Sequence, residues 1–184
     1  MALRVSLGRA RRLLAATVVA AAVAIVGTLA VAAPAQAAYD IPYTPVQFQF
    51  WSDSQALTVG SAALGSVVVQ DTFRKDDPLQ IWDFYWNGTD GSSGLVVNPT
   101  LGGCLTTFGA AGTALYVVKC DNLLGQVWTL SVSWYWNGQP VVNIYNPYYK
   151  LVVNIAGGST QRRGVIIGWP ADGGVNEFLK ELPA

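Results

Sequence analysis

A short motif closes an apolar run near position 80 and recurs further along the chain. Gln80-Ile81-Trp82 is the first copy, and Gln126-Val127-Trp128 is the second. A weaker third copy reads Asn176-Glu177-Phe178-Leu179. Copies spaced by about fifty residues indicate an internal repeat, and repeats of this size are typical of arrays, propellers and pseudo-symmetric folds. The repeat therefore limits the chain to a small set of architectures.

Segments 48–86, 95–136 and 143–182 share one order of sequence features. Each has an aliphatic position, a turn rich in small residues, a β-branched or aromatic run, a polar loop and the closing motif. The aliphatic positions are spaced by 48 residues and are Leu57, Leu105 and Val153. Short runs separated by glycine turns, with no capped helical periodicity, predict an all-β fold. Three repeats of about four strands give about twelve strands, which a closed β-trefoil accommodates with protected edges.

Residues 1–37 differ in composition from the rest of the chain. Four arginines precede a predominantly apolar stretch from Leu13 to Ala33, and Pro34-Ala35-Gln36-Ala37 ends in an A-x-A pattern. This arrangement predicts a bacterial-type signal peptide cleaved after Ala37, and hence a secreted protein. An uncleaved anchor is the alternative, because the apolar stretch is long enough to span a bilayer. The export route, general or twin-arginine, stays open.

The remaining residues, 38–184, suit one domain. Segment 38–46 contains Pro42 and Pro45 and predicts an extended leader with little reason to pack. Four of the 11 Lys and Arg residues lie in the signal segment, whereas all 11 Asp and Glu residues lie after it. Residues 38–184 therefore carry seven basic and 11 acidic side chains, a net charge of −4, and no His. This balance argues against a nucleic-acid partner, which needs a basic face. The basic pairs Arg74-Lys75 and Arg162-Arg163 are interpreted as solvated loops.

Cys104 and Cys120 both lie in the exported part of the chain. Two thiols at this spacing in a secreted protein predict a disulfide. A metal site is the poorer alternative, because two cysteines without any histidine leave a coordination shell incomplete. We expect neither a metal nor a cofactor.

The second repeat carries the clearest family resemblance. It contains Cys104-Leu105, Gly112-Thr113, Val118-Lys119-Cys120 and the closing Gln126-Val127-Trp128, and the third repeat follows the same template through Trp169-Pro170. The chain thereby resembles ricin-type (R-type) β-trefoil lectin domains over 47–184. The resemblance implies that Gln80, Trp82, Gln126 and Trp128 are structural. Each Trp is expected to fill the shared core, and each Gln is expected to bind backbone groups that would otherwise be unpaired.

Members of this family bind galactose-like sugars in shallow pockets, with at most one pocket in each repeat. Such a pocket needs a carboxylate, an aromatic ring that stacks on the pyranose, and an Asn beside the closing motif. In the first repeat the three positions read Thr58, Asp71 and Leu79, so no site is expected there. In the second repeat they read Thr106, Val118 and Gly125, with Tyr116 as the nearby aromatic residue. Thr106 and Tyr116 form the weaker candidate pocket.

The third repeat keeps most of the pocket. Its positions read Asn154, Trp169 and Asn176, with Glu177 beside the last. An amide in place of the carboxylate removes the charge assistance that strengthens hydrogen bonds, which predicts a weak or altered sugar preference. The alternative is that Trp169-Pro170 is a hydrophobic lid and the two Asn residues satisfy their own turns. The end of the third closing motif, at Phe178 or at Leu179, stays open.

Nothing in the sequence favours catalysis. The chain has no His, its cysteines are expected to be paired, and its Gly-rich segments lack the Gly-Lys-Ser/Thr of a phosphate loop. Three functions follow as hypotheses. The first is a secreted carbohydrate-binding protein that has no membrane contact after signal cleavage. The second is a trefoil that has lost sugar binding and binds an extracellular protein, for example as a protease inhibitor, through surplus aromatic residues. The third is a stable protein of the envelope with no specific ligand.

Overall fold

The computed structural model describes residues 39–87 and 92–184. The predicted signal peptide, residues 1–37, lies outside the described residues. Within those residues strands dominate, and helical structure is limited to 3₁₀ turns at Leu124–Gln126, Ala156–Gly158 and Val175–Glu177. Twelve strands are described, in the order β1 (Tyr39–Phe50), β2 (Ala56–Val59), β3 (Ser66–Asp71), β4 (Ile81–Asn87), β5 (Gly94–Asn98), β6 (Gly103–Thr106), β7 (Tyr116–Lys119), β8 (Val127–Trp136), β9 (Gln139–Asn146), β10 (Leu151–Ile155), β11 (Ile166–Trp169) and β12 (Leu179–Pro183).

Six of the strands close into a ring. β1 pairs with β4, β4 with β5, β5 with β8, β8 with β9, β9 with β12, and β12 returns to β1, all antiparallel. A closed ring leaves none of its strands as a free edge, which removes the tendency of exposed edges to pair with other chains. Each repeat supplies two neighbouring strands of this barrel, as threefold pseudo-symmetry requires.

The other six strands form three hairpins, one in each repeat: β2–β3, β6–β7 and β10–β11. Contacts between hairpins join them at one end of the barrel, through the β3–β7 pairing and the bridges Val69↔Val165 and Ala114↔Ile167. This arrangement is a β-trefoil, and it confirms the predicted all-β fold. The repeat spacing of 48 residues reappears in the register where each barrel strand meets its hairpin, at Gln49↔Ala56, Val97↔Cys104 and Tyr145↔Val152.

The aliphatic position and the closing motif meet in the core. Every side chain in the two sets is buried, with an exposed fraction of 0%. Their burial removes large apolar surfaces from water in all three repeats and explains why the pattern recurs in the sequence. The aliphatic set is Leu57, Leu105 and Val153, and the closing set is Trp82, Trp128 and Leu179.

The segment expected to be an unpacked leader is a paired strand instead. β1 begins at Tyr39, and its first half pairs with β4 through Tyr39↔Asn87, Pro42↔Tyr85 and Val46↔Trp82. The expectation failed because proline cannot donate to a sheet ladder and suggested a free segment. The barrel needs a partner for β4, and the ladder accommodates the prolines through two register shifts, between Tyr39 and Pro42 and between Tyr43 and Val46.

The predicted disulfide is confirmed, because Cys104 and Cys120 are bonded. The bridge joins the start of the β6–β7 hairpin to the residue that follows it. In the part of the chain that the structure describes, no helix has the length and hydropathy needed to cross a bilayer. The same residues contain no cluster of three or more His, Cys, Asp or Glu side chains suited to a metal ion.

Candidate functional site

The two complete closing motifs hold the scaffold together. Trp82 Nε1 donates to the Leu57 carbonyl at 3.0 Å, and Trp128 Nε1 donates to the Leu105 carbonyl at 2.8 Å. Each indole therefore ties the closing motif to the aliphatic position of its own repeat. Satisfying a buried indole N–H in this way avoids the free-energy cost of an unpaired donor, roughly 1–3 kcal/mol.

The glutamine of each motif binds the loop that precedes it. Gln80 accepts a hydrogen bond from the Arg74 amide and donates to the Thr72 carbonyl, both at 2.9 Å. Gln126 accepts from the Asp121 amide at 2.9 Å and donates to the Lys119 carbonyl at 2.8 Å. Both glutamines are fully buried, so each supplies partners for backbone groups that have no strand neighbour.

Glu177 takes the place of this glutamine in the third repeat. Its two carboxylate oxygens accept from the amides of Gly173 at 2.9 Å and Asp172 at 3.2 Å. The side chain is only 2% exposed, and the next alternate residue, Leu179, fills the Trp position in the core. The third motif therefore ends at Leu179. The expectation that Glu177 lines a sugar pocket is corrected: its carboxylate is buried and occupied by backbone donors.

The registers of the three hairpins define equivalent pocket positions. Cross-strand partners place their side chains on one face, and the residue two further along the second strand shares that face. The partners are Thr58↔Val69, Thr106↔Tyr116 and Asn154↔Ile167. The residues two further along are Asp71, Val118 and Trp169. These are the positions to which the sequence alignment assigned the stacking residue.

The third repeat brings two amides together below an exposed indole. Asn176 Nδ2 donates to Asn154 Oδ1 at 2.5 Å, which joins the end of the hairpin to the closing motif. Asn154 is 2% exposed, and its Nδ2 has no hydrogen-bond partner. Trp169 lies on the same face of the β10–β11 hairpin and is 42% exposed. The arrangement pairs an available aromatic surface with an amide pair that retains an unused donor.

A loop of the second repeat supports Trp169. The Gly112 amide donates to the Gly168 carbonyl at 2.8 Å, and the Gly168 amide donates to the Thr113 carbonyl at 3.0 Å. A Cβ at Gly112 would lie 3.4 Å from Cζ3 of Trp169, so the loop passes directly beside the indole. Gly112 has φ +81°, a conformation that favours glycine. The Gly112-Thr113 motif of one repeat thus forms a wall beside the candidate pocket of the next.

Asp172 is a candidate pocket residue that the sequence reasoning missed. Its Oδ1 accepts a hydrogen bond from the Gly174 amide at 2.8 Å. A Cβ atom built on Gly174 would lie 2.8 Å from Asp172 Oδ1 and 2.7 Å from Asn176 Oδ1, so both oxygens lie against the same glycine. An exposed carboxylate therefore lies beside the amide pair, although position 154 has none. The sequence feature that could have identified Asp172 is its position in the turn just before the closing motif, where a loop side chain can reach the pocket.

The second repeat brings Thr106 and Tyr116 together but leaves no pocket between them. Thr106 is fully buried, and its hydroxyl donates to the Cys104 carbonyl at 2.9 Å and accepts from Gln126 Nε2 at 3.2 Å. A Cβ at Gly125 would collide with the carbonyl oxygen of Thr107, so no side chain fits at the Asn position. The weaker candidate pocket is corrected accordingly. Thr106 and Gly125 pack the scaffold.

Tyr116 stays at the surface of the second repeat, but an aromatic neighbour covers part of it. Its ring lies 5.7 Å from the exposed ring of Phe108. The ring of Tyr149 covers the backbone of Gly109, the residue after Phe108, because a Cβ at Gly109 would lie 2.6 Å from Tyr149 Cε1. Aromatic side chains therefore pack against one another and against the backbone at this end of the second-repeat hairpin.

In the first repeat the stacking position carries a buried carboxylate, Asp71. Arg162 Nε donates to Asp71 Oδ1 at 2.5 Å, and Arg74 and Arg163 each place a guanidinium nitrogen 3.6 Å from Asp71 Oδ2. We call these three arginines around Asp71 the arginine cluster. Burial alone would raise the pKa of Asp71, but hydrogen bonds from Arg162 and the Thr72 amide and the nearby positive charges hold it below its ordinary value. The three arginines of the two basic pairs, which were interpreted as separate solvated loops, thus converge on one acid.

A second group of aromatic residues lies on the β8–β9 hairpin and includes Trp51, which packs against it. None of these residues belongs to the three sets of pocket positions. Trp51 packs edge-on against Trp134 and Trp136, with centroids 5.6 Å apart in both pairs. Lys180 Nζ lies 5.8 Å and 5.5 Å from the ring centres of Trp51 and Trp136. Burial lowers the pKa of Lys180. These cation–π contacts hold the hairpin against β12, and Trp136 remains 46% exposed.

Solved structures with the same fold include a designed protein and two natural ones. The designed threefold-symmetric protein ThreeFoil aligns with a TM-score of 0.66 and 16% identity, over 76% of this chain and 99% of that chain. The C-terminal half of an earthworm R-type lectin, solved in complex with GalNAc, aligns with a TM-score of 0.60 and 14% identity, over 77% of this chain and 100% of that chain. An exo-β-1,3-galactanase from Clostridium thermocellum aligns with a TM-score of 0.67 and 20% identity, over 77% of this chain but only 30% of that chain.

No family model and no curated protein sequence matches the chain. The structural alignments, at these low identities, establish the fold. The chain therefore has the β-trefoil fold found in R-type lectins, with the threefold pseudo-symmetry that the closing motif predicted.

Proposed function

We propose that this chain is a secreted, non-catalytic carbohydrate-binding protein with one weak sugar pocket, in the third repeat. The observation that carries the proposal is the hydrogen-bonded pair Asn154–Asn176 on the face of the hairpin that also presents a half-exposed Trp169. The two other repeats fill the equivalent positions with a buried acid or with packing. Asp172 at the pocket edge supplies a carboxylate acceptor.

Sugar chemistry matches this set of groups. The apolar face of a pyranose stacks on an indole, while its hydroxyls exchange hydrogen bonds with amides and carboxylates. Asn154 Nδ2 can donate to a ligand hydroxyl once Asn154 turns toward the pocket, which would give this buried donor the partner that it lacks. Because neutral amides replace the carboxylate of the family pattern, we expect dissociation constants in the millimolar range. The earthworm lectin's complex with GalNAc makes galactose-type sugars the first class to test.

Binding should depend on Trp169 and not on exposed tryptophans in general. The experiment is a glycan array followed by calorimetric titration of the selected sugar into wild type, Trp169→Ala and Trp136→Ala. Trp136 is the matched control, because it is exposed to a similar extent, 46% against 42%, outside the pocket. Loss of stacking should weaken binding about tenfold or more in Trp169→Ala and leave Trp136→Ala unchanged. Equal binding by wild type and Trp169→Ala would reject this pocket.

A gain of affinity tests the same pocket from the opposite direction. Asn154→Asp restores the carboxylate while keeping an acceptor for Asn176 Nδ2, and it removes the unpartnered amide nitrogen. A charged acceptor should strengthen sugar binding about fivefold, the difference between neutral and charge-assisted hydrogen bonds. Unchanged binding in Asn154→Asp would show that position 154 does not contact the sugar, and weaker binding would show that the sugar uses the Asn154 Nδ2 donor that this change removes.

Protein binding is the second candidate, and the β8–β9 hairpin favours it. Tyr135 is 70% exposed at the tip of this hairpin, next to Trp136. Exposed aromatic side chains of this kind commonly anchor protein interfaces. The same variants separate the two functions: a protein ligand whose capture is lost in Trp136→Ala and kept in Trp169→Ala, with no glycan bound by wild type, would support the second function and reject the first.

Secretion has its own test. When the full chain is expressed in a bacterium, the protein recovered from the medium should begin at Ala38, as N-terminal sequencing would reveal. Protein retained in the membrane fraction with residues 1–37 intact would support the uncleaved anchor instead.

A further inference from the structure

The arginine cluster presents positive charge above a hidden acid. The side chains of Arg74, Arg162 and Arg163 are 47%, 64% and 50% exposed, whereas the side chain of Asp71 is 2% exposed. Asp77 adds a second carboxylate, which accepts from Arg74 Nε at 2.8 Å. Three cations therefore face two anions, and the local charge is +1 on a mature chain of net charge −4. Solvent meets mainly guanidinium groups.

A buried glutamine holds the loop that carries two of these arginines. Gln70 Nε2 donates to the carbonyls of Ser159 at 2.6 Å and Gln161 at 2.8 Å. The Gln70 backbone accepts from the Arg163 amide at 2.8 Å and donates to the Gly164 carbonyl at 2.9 Å. Four hydrogen bonds from one fully buried residue fix the loop before any ligand arrives. Fixed donors lose less conformational entropy on binding than mobile ones do.

Arg163 adopts a conformation that arginine rarely uses. Its φ is +68°, in the left-handed region that favours glycine. This backbone brings Arg163 Nη2 within 2.6 Å of the Gly60 carbonyl and leaves the guanidinium beside that of Arg162. Arg74 is anchored from the other side, because its amide donates to Gln80. The cluster is thus built by two fixed loops.

The guanidinium groups retain donors. Within the described part of the chain, each of the three arginines uses one nitrogen in a hydrogen bond: Arg162 Nε, Arg163 Nη2 and Arg74 Nε. Arg163 Nη1 and Arg74 Nη2 also form ion pairs with Asp71 Oδ2 at 3.6 Å. Each guanidinium carries further N–H groups in a planar fork that suits the oxygens of sulfate, phosphate or carboxylate. Free donors on neighbouring forks are the usual means by which proteins bind such oxyanions.

We propose that the arginine cluster is a second ligand site, which binds one compact oxyanion, the sulfate or carboxylate group of an acidic sugar. The cluster lies at the hairpin position where the third repeat carries Trp169, so the first repeat offers charge where the third offers an aromatic face. Oxyanion binding stands independently of the proposed function. The inference that the oxyanion belongs to a sugar rests on the proposed function.

Titration calorimetry with sodium sulfate, galactose 6-sulfate and galactose tests the site in the mature protein. The double variant Arg162→Gln/Arg163→Gln should weaken binding of both sulfates about tenfold or more, because two charge-assisted contacts are lost. Asp71→Asn should strengthen sulfate binding several-fold, since it removes the internal carboxylate that competes for the same donors. Lys119→Gln, at an exposed cation in the second repeat, is the matched control and should change nothing.

The outcomes separate the two parts of the inference. Sulfate binding that persists in Trp169→Ala, is lost in the double variant and increases in Asp71→Asn supports the site even if the third-repeat pocket binds no sugar. Tighter binding of galactose 6-sulfate than of sulfate supports the acidic sugar, and equal binding overturns that part. No saturable sulfate binding, or equal binding by the double variant, overturns the site. If Asp71→Asn does not fold, Arg162→Lys decides: it keeps the charge, loses the fork, and should bind sulfate more weakly than wild type does.

Discussion

The second and third repeats differ in which parts of the family pattern they keep. The second keeps the complete Gln126-Val127-Trp128 motif, yet Gly125 and the buried Thr106 leave no space for a ligand. The third ends in Glu177-Phe178-Leu179, without the indole, and yet keeps a hydrogen-bonded Asn154–Asn176 pair on the hairpin face that carries Trp169.

The difference shows that packing and binding use neighbouring but separate positions. Residues facing the barrel, such as Trp128 and Leu179, are buried in both repeats. The residue just before the closing glutamine or glutamate makes the local difference: Gly125 lets a neighbouring backbone approach closely, whereas Asn176 reaches across to Asn154. Core packing can therefore be kept in a repeat while the position beside the closing motif changes.

Removing the core indole of the second repeat should have the largest effect. Trp128→Ala deletes a fully buried side chain and its hydrogen bond to the Leu105 carbonyl. We expect the free energy of unfolding to fall by about 3–5 kcal/mol, measured by urea denaturation. A loss below about 1 kcal/mol would be as small as that of a surface substitution, and it would contradict the scaffold role of the second repeat.

The disulfide should rank next. Cys104→Ala/Cys120→Ala opens a loop that only the second repeat closes covalently, and we expect a loss of about 3 kcal/mol in unfolding free energy. Wild type measured with reductant is the control, and it should approach the double variant. An unchanged midpoint in both would show that the hairpin pairing alone fixes this repeat.

Exchanging the closing side chains should have a moderate effect. Gln126→Glu replaces the amide that donates to the Lys119 carbonyl and to Thr106. A carboxylate against a carbonyl should cost about 1–3 kcal/mol, which thermal unfolding at neutral pH would detect. The reciprocal Glu177→Gln keeps one acceptor for the Gly173 and Asp172 amides and should cost less. The opposite order would contradict the scaffold roles assigned to these two residues.

The smallest stability effect is expected at the pocket itself. Trp169→Ala removes a half-exposed ring that only flanks the Gly112 loop, so the unfolding free energy should change by no more than about 0.5–1 kcal/mol. Chemical denaturation beside Trp128→Ala would establish the contrast. A loss as large as that of Trp128→Ala would make Trp169 a core residue and would favour its alternative reading as a hydrophobic lid.

Much of the fold was predictable because it repeats. The 48-residue interval between Leu57, Leu105 and Val153 reappears in the strand registers, since equivalent core positions must face one shared axis. The leader was mispredicted because its prolines indicated a free segment, whereas the need of β4 for a partner is invisible locally. The alignment also identified structurally equivalent positions on the three hairpins, but not which of their side chains would be buried.

The sequence by itself determined the threefold core and the equivalent positions on the three hairpins, because these depend on periodic burial that one strand pattern repeats. It also determined the disulfide, because the chain has only two cysteines and both were expected to be exported. Only the tertiary structure decided that Glu177 serves the scaffold, that Asp172 lies beside Asn176, and that two distant basic pairs meet at Asp71. The first two outcomes depend on how the loop before the third closing motif folds back on itself, and the last depends on loops from different repeats approaching one another. The spacing of residues along the chain encodes neither. The Gln-x-Trp motif reports where the chain packs, and the loops beside its altered third copy form the candidate sugar pocket.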